Sequence, residues 1–238
     1  MTSGLAQRLI EPELLDSLPV NNPQAIASRR DLVRINAVMF QGAIMARLLR
    51  AHLLRKPLRI LEIGAGDGSF MLSVARRLAG QWNDVDLVML DQADLVTQAR
   101  RAQFAALGWR VQTVTADVFD WIARPDIGGF DVVTANLFLH HFHETELRKL
   151  LAVMPRLTRL FVATEPRRSR VALWCTGWLR AIGANAITLH DAAASVRAGF
   201  SSSELSQLWP GGTAMGPHER RIGPFTHIFV AGGATRVR

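Results

Sequence analysis

The 238-residue chain is 49% hydrophobic and 20% charged, with a formal net charge of +8. That length fits one ordinary domain, with or without an added cap, and excludes a chain too polar to bury a core. The single cysteine, Cys175, excludes an intramolecular disulfide and any cysteine-based zinc site, and suits a reducing cytosol.

Every basic residue except Lys56 and Lys149 is arginine. Such a surface either meets an anionic partner or is simply solvated. No basic block interleaves with aromatics as a single-strand nucleic-acid platform would, so nucleic acid is a disfavoured partner. Glu11, Glu13 and Asp16 stand where a secretory signal would be apolar. No stretch reaches the length of an uncharged membrane span. A cytoplasmic location is expected.

Residues 1–57 read as a mostly helical cap. Leu5, Leu9, Ile10, Leu14, Leu15 and Leu18 precede a break at Asn21-Asn22-Pro23. From Ala25 to Leu54 apolar residues recur at helix spacing, and Pro57 closes the segment. Such a segment either covers the substrate side or only packs on the sheet.

Residues 58–238 read as the main domain. An apolar strand from Leu58 to Ile63 runs into Glu62-Ile63-Gly64-Ala65-Gly66-Asp67-Gly68, and a helix begins at Ser69. Glycines at alternate positions suit a turn with positive φ and bare backbone against a ligand. The dinucleotide fingerprint G-x-G-x-x-G would need glycine where Ser69 stands, and no P-loop ending follows. Helix is expected over Ser69–Leu78, Ala93–Leu107, Val118–Ile122 and Glu144–Met154. Strands are expected at 85–90, 111–114, 130–135 and 160–163. This alternation predicts an α/β fold with a doubly wound, mostly parallel sheet, whose ligands lie at the carboxyl ends of strands. Asp91, just past the second strand, suits a ribose diol, because a carboxylate accepts from both hydroxyls. Asp117 could accept from an adenine amino group, with Val118 as a wall. Each has a plainer use as a turn former or helix cap.

The E-x-G-x-G-x-G order resembles motif I of the class I S-adenosylmethionine-dependent methyltransferase family. With Asp91 and Asp117, the resemblance covers Leu58 to about Glu165. It implies a Rossmann-like, seven-stranded sheet and S-adenosylmethionine as cofactor. It implies that Gly64, Gly66 and Gly68 lie against the methionine part, with Glu62 and Ala65 also binding the cofactor, that Asp91 holds the ribose and Asp117 with Val118 the adenine, and that Asn136 and Leu137 lie near the sulfonium. The segment Asn136-Leu137-Phe138-Leu139-His140-His141-Phe142 lacks the motifs for exocyclic amines, glutamine amides and cytosine carbon, which favours a small-molecule acceptor.

An oxygen acceptor asks for a base, most often histidine. The candidates are His140, His141, and His190 beside Asp191. No metal is expected, since the histidine spacing fits no standard site and no further cysteine, histidine or aspartate stands nearby. Residues 171–182 read as a helix apolar nearly all round, buried or lining a greasy cavity, with Trp174 and Trp178 as acceptor contacts. A substrate-side helical insertion is expected over about 166–210, with Ser201 to Glu204 at capping-box spacing. The set Arg167-Arg168-Ser169-Arg170, His190-Asp191 and Ser195-Val196-Arg197-Ala198-Gly199-Phe200 resembles bacterial methyltransferases that accompany polyketide synthases and flavin oxidoreductases. It implies a phenolic, quinone-like or polyketide acceptor, secondary metabolism, and Arg197 pairing with an acidic or enolic group. His190 and Asp191 could equally cap a helix, and Arg197 form a structural ion pair. Glu219 to Ala231 reads as two strands turning at Gly223-Pro224, before a frayed tail. An RNA methyltransferase and a NAD-dependent oxidoreductase remain alternatives, and a homodimer is an open expectation.

Overall fold

The computed structural model describes residues 5–53, 55–56, 59–211 and 216–232. Leu54, Pro57, Leu58 and the tail 233–238, on which parts of the sequence reading fall, lie outside the described residues.

Seven strands form one sheet: β1 (Arg59–Ile63), β2 (Val85–Asp91), β3 (Trp109–Thr115), β4 (Phe130–Asn136), β5 (Thr158–Pro166), β6 (His218–Ile222) and β7 (Thr226–Gly232). Their order is β3-β2-β1-β4-β5-β7-β6. All neighbouring pairs among β1 to β5 are parallel, and β7 runs antiparallel to both its neighbours. The predicted sheet and its closing hairpin are therefore present.

The central strands are covered on both faces, which is why they read as unbroken apolar runs. Alternate residues feed two cores. Leu61, Ile63, Val133 and Phe161 face one, with Leu147, Leu150, Leu151 and Met154 of α6 (Glu144–Leu157). Ile60, Val132, Leu160 and Val162 face the other, with Met71, Leu72, Ala75 and Leu78 of α3 (Ser69–Leu78). On both helices the buried residues recur at three and four, so one stripe meets the sheet. Three further helices connect or precede strands: α2 (Gln41–His52), α4 (Gln98–Ala105) and α5 (Val118–Ile122). α2 contributes Met45, Leu48 and Leu49 to the second core, so it is part of the main fold. The sequence order of strands reverses at β1, which lies between β2 and β4. Such a switch point leaves a crevice at the carboxyl ends.

The N-terminal residues depart from expectation. Residues 5–18 form no α-helix: they are turns and irregular backbone, with one 3-10 turn at Leu15–Ser17. The long predicted helix is two, α1 (Pro23–Val38) and α2, broken where Phe40 takes φ 55°. The strap of residues 5–18 makes its bonds to other elements. Leu9 N–H donates to Arg197 O, and Arg8 donates to the carbonyls of Ala198, His140 and Phe142. These partners are distant in sequence, so helical periodicity could not reveal them.

The other differences are local. Helix before β3 starts at Gln98 rather than Ala93, with Thr97 as its N-cap. α6 continues past Pro155 for one last turn that buries Leu157, although a residue before proline disfavours helix. Beyond β5 lie α7 (Arg170–Thr176), a 3-10 turn at Gly177–Ile182, α8 (Ala186–Ala198) and α9 (Glu204–Leu208). The capping box at Ser201 is half formed: Ser201 N–H donates to Glu204, while Ser201 Oγ accepts from Arg168. No single helix among the described residues is long and apolar enough to cross a membrane.

Candidate active site

A cleft of about 530 Å³ opens over the carboxyl ends of β1, β2 and β4. Its floor is the glycine loop, and Asn136, Leu137 and Phe138 form one side. Glu13, Leu15, Asp16 and Leu18 of the strap, with Leu32 and Asn36 of α1, form the roof.

The loop conformation needs glycine at two places that matter here. At Gly64, φ is +69°, and an added Cβ would sit 2.2 Å from the Phe138 ring. At Gly66, φ is +54°, and nothing lies within 4 Å of an added Cβ. That space is where a ligand can lie on backbone. Asp91 fixes the loop from β2: one carboxylate oxygen accepts from Gly66 N–H at 2.8 Å and the other from Ala93 N–H at 3.0 Å. Each oxygen keeps a second lone pair for a hydroxyl. Gly64, Ala65, Gly66, Asp91, Val118, Asn136 and Leu137 all line the cleft. Leu137 takes φ 50°, a costly conformation for a side-chain-bearing residue, held by its N–H bond to Thr164 O.

Three predicted cofactor contacts stand elsewhere. Asp117 caps α5 through Phe119 N–H and accepts from the Gln92 side chain. Gln92, not Asp117, is on the cleft wall. Gly68 caps α3 behind the cleft, its Cβ direction facing Met89. Glu62 is fully buried in the sheet, bonded to Thr134, and off the cleft wall. Burial pushes its carboxyl up to about 8, against the pull of the Thr134 bond.

The histidines after β4 meet three acidic groups, which corrects the expectation that no further ligand stands near them. His140 is buried between two carboxylates: Nδ1 lies 2.9 Å from Glu165 and Nε2 lies 3.3 Å from Glu13. Burial disfavours its charge, but the bonds to Glu13 and Glu165 outweigh that and raise it to about 9. With both nitrogens engaged, His140 is not placed to take a proton from an acceptor. Burial likewise opposes ionisation of Glu13, yet the His140 bond brings it down to about 2. Glu165, also working against burial, is lowered by His140 and by the Leu139 and Phe138 N–H groups. Burial and the neighbouring His140 charge lower His141 to about 4, so its ring is neutral at physiological pH. His141 is on the cleft wall, with Nδ1 3.6 Å from Asp16.

The predicted dyad of His190 and Asp191 lies off the cleft wall. Asp191 is buried and accepts from Leu14 N–H and Leu15 N–H, so it anchors the strap. His190 is half-exposed and lies 3.0 Å from Asp191. Arg197 pairs with Glu11 on the strap, also away from the cleft. The helix expected to be buried or cavity-lining is open to solvent along one face: Trp174 is 66% and Trp178 59% exposed, stacked edge to face.

Four groups on or behind the cleft wall were not singled out from sequence: Glu13, Asp16, Asn36 and Glu165. Glu165 ends β5, where the carboxyl-end rule applies, so that signal was available. Asn36 Oδ1 is buried on the cleft wall without a hydrogen-bond partner among the described residues, which invites a donor from a ligand.

A family model described as a methyltransferase domain matches residues 60–160. No curated protein matches the chain. Among solved structures, the plantazolicin methyltransferase BpumL, in complex with a monoazolic desmethylPZN analog and SAH, superposes with a TM-score of 0.63 at 14% identity. That match covers 93% of this chain and 95% of the other. An O-methyltransferase family protein from Burkholderia thailandensis gives 0.59 at 18% identity, over 90% of this chain and 62% of the other. This chain thus spans less than two thirds of that protein. Magnesium protoporphyrin IX methyltransferase from Synechocystis PCC 6803, with bound SAH, gives 0.55 at 14%, over 90% and 96%.

Proposed function

We propose that this chain, by domain and fold a class I S-adenosylmethionine-dependent methyltransferase, moves the methyl group to a hydroxyl of a small aromatic or apolar acceptor of phenolic, quinone-like or polyketide type. The observation that carries the reading is one cleft bounded by the glycine loop, Asp91, Asn136 and Leu137, and roofed by apolar residues of the strap and α1. The open space at Gly66 and the unpartnered Asn36 oxygen fit a cofactor with a backbone-hugging end and donor groups.

S-adenosylmethionine, when bound, supplies a methyl group already activated on a sulfonium. The residues of this chain then have three tasks: hold, align and keep dry. Asp91 would bind the ribose hydroxyls while it orders the Gly66 backbone. Leu15, Leu18, Leu32 and Phe138 would hold a flat apolar acceptor and exclude water. Glu13, Asp16, His140 and His141 form the polar side of the cleft, where an acceptor hydroxyl would lose its proton. Among the arginines of the described residues, only Arg29 is on the cleft wall, and it donates to Val20 O. That distribution favours a small acceptor over RNA. The reading places the enzyme in the cytoplasm, in secondary metabolism.

Asp91→Ala tests the cofactor half. It removes charge-assisted bonds to ribose and loosens the loop, so affinity for S-adenosylhomocysteine should fall by about 1–3 kcal/mol, roughly 5- to 150-fold. Calorimetric titration reads this directly, and unchanged affinity would take Asp91 out of the site. Release of S-adenosylhomocysteine in a screen of phenols and hydroxyquinones tests the acceptor half. Turnover only with amine acceptors would overturn it.

A further inference from the structure

We propose that Glu13, His140 and His141 form a binding site for a divalent transition-metal ion at the acceptor side of the cleft. Their ligand atoms lie within 4.8 Å of one another, and all three residues line the same cleft. Two imidazoles and one carboxylate are a donor set suited to zinc, iron, manganese or cobalt in the divalent state.

The orientation of His140 is the leading argument. A ligating histidine usually donates its other N–H to a carboxylate, which fixes its tautomer and aims its lone pair. Here Nδ1 faces Glu165 at 2.9 Å, and Glu165 is held in turn by the N–H groups of Phe138 and Leu139. Nε2 then points at Glu13 Oε1 across 3.3 Å. Two electron-rich atoms at that separation need a cation between them. A proton is one such cation. A metal ion with bonds of about 2.0–2.2 Å is another, because that bond length gives ligand edges of about 3–3.5 Å.

His141 supplies the third direction. Its backbone N–H donates to Phe138 O, its ring Nδ1 lies 3.6 Å from Asp16, and the ring lies 4.3 Å from that of His140. A small turn of the ring closes the set. The acidic surroundings favour a cation too: Glu13, Glu165 and Asp16 converge on the pair. An ion held there faces the cleft with an open position, where it would bind the oxygen of an acceptor and ease loss of its proton.

The direct test is calorimetric titration of chelator-treated, full-length protein with zinc and with manganese chloride. S-adenosylhomocysteine affinity serves as the measure of an intact fold. One ion per chain, bound at micromolar or tighter, is expected for the wild type and for His190→Ala, whose histidine lies outside the cleft. Glu13→Gln and His141→Asn should each weaken binding by about 100-fold while leaving cofactor affinity intact. No saturable binding by the wild type would overturn the site. So would binding by either variant at wild-type strength, or an equal loss in His190→Ala. The cofactor titration separates this result from the methyltransferase reading, which stands or falls on S-adenosylhomocysteine alone.

Discussion

Arg168→Ala should lower stability by about 3–5 kcal/mol, the range for removing one partner of a buried charge network. The Arg168 side chain is 1% exposed, and every guanidinium nitrogen has work. Nε donates to Leu5 O, Nη1 to Gly199 O and Glu204, and Nη2 to Ser201 Oγ and Glu204. Four segments therefore meet on one planar group: the strap, the end of β5, the loop after α8, and α9. Alanine would leave the Gly199 carbonyl and the Glu204 carboxylate short of partners in a site too enclosed for full hydration. The strap should loosen as well, because Leu5 loses its tie. Urea denaturation measures the first effect. Limited proteolysis within residues 5–18 measures the second. The neighbouring Arg167→Ala is the comparison, since Arg167 bonds only Gly223 O through its side chain among described residues. A loss under about 1 kcal/mol for Arg168→Ala would show that water replaces the arginine, and that the strap is held by its other ties, through Arg8, Leu9, Glu11, Glu13 and Asp191.

How far the sequence could be read follows from where each interaction sits along the chain. The glycine loop, Asp91 and Val118 were legible because their geometry is local: strand, turn and helix in consecutive residues. The mostly parallel, doubly wound sheet was legible because β-α alternation leaves few topologies. The polar side of the cleft was not. Glu13 reaches His140 across 127 residues, from a strap with no periodicity of its own. Glu165 stood in plain view at the end of β5, yet besides His140 its partners are backbone N–H groups that no residue type advertises. His190 and Asp191 misled by adjacency. A histidine beside an aspartate looks like a dyad, but the carboxylate caps Leu14 and Leu15. The helix at 170–176 misled by composition, since a run of apolar residues does not say which side meets the core. In the fold only Ala172 is buried among them, and Trp174 faces solvent.

The same distinction explains the second large expected effect, at Glu62, where sequence motif and physical role diverge. Glu62→Gln should flatten the pH dependence of stability between pH 5 and 8 and leave S-adenosylhomocysteine affinity within about twofold. In the fold its carboxyl is completely buried and is pushed from 4.5 up to about 8 by that burial. Thr134 Oγ donates to the carboxylate and pulls the other way, but burial outweighs that bond. A carboxyl with a raised folded pKa keeps a proton that the unfolded chain gives up. Its favourable contribution is therefore complete below about pH 4.5 and is lost as pH rises toward 8. At about 1.4 kcal/mol per pKa unit the ceiling is roughly 5 kcal/mol, and relaxation of the site should reduce that to about 2–4. Glutamine has no proton to lose, and its amide can make the same bond to Thr134. All other titrating groups are common to both proteins, so the difference between their urea-denaturation profiles isolates Glu62. Parallel profiles would mean that Glu62 is ionised in the fold. A large loss of cofactor affinity would instead return it to the binding role that the glycine-loop motif implies.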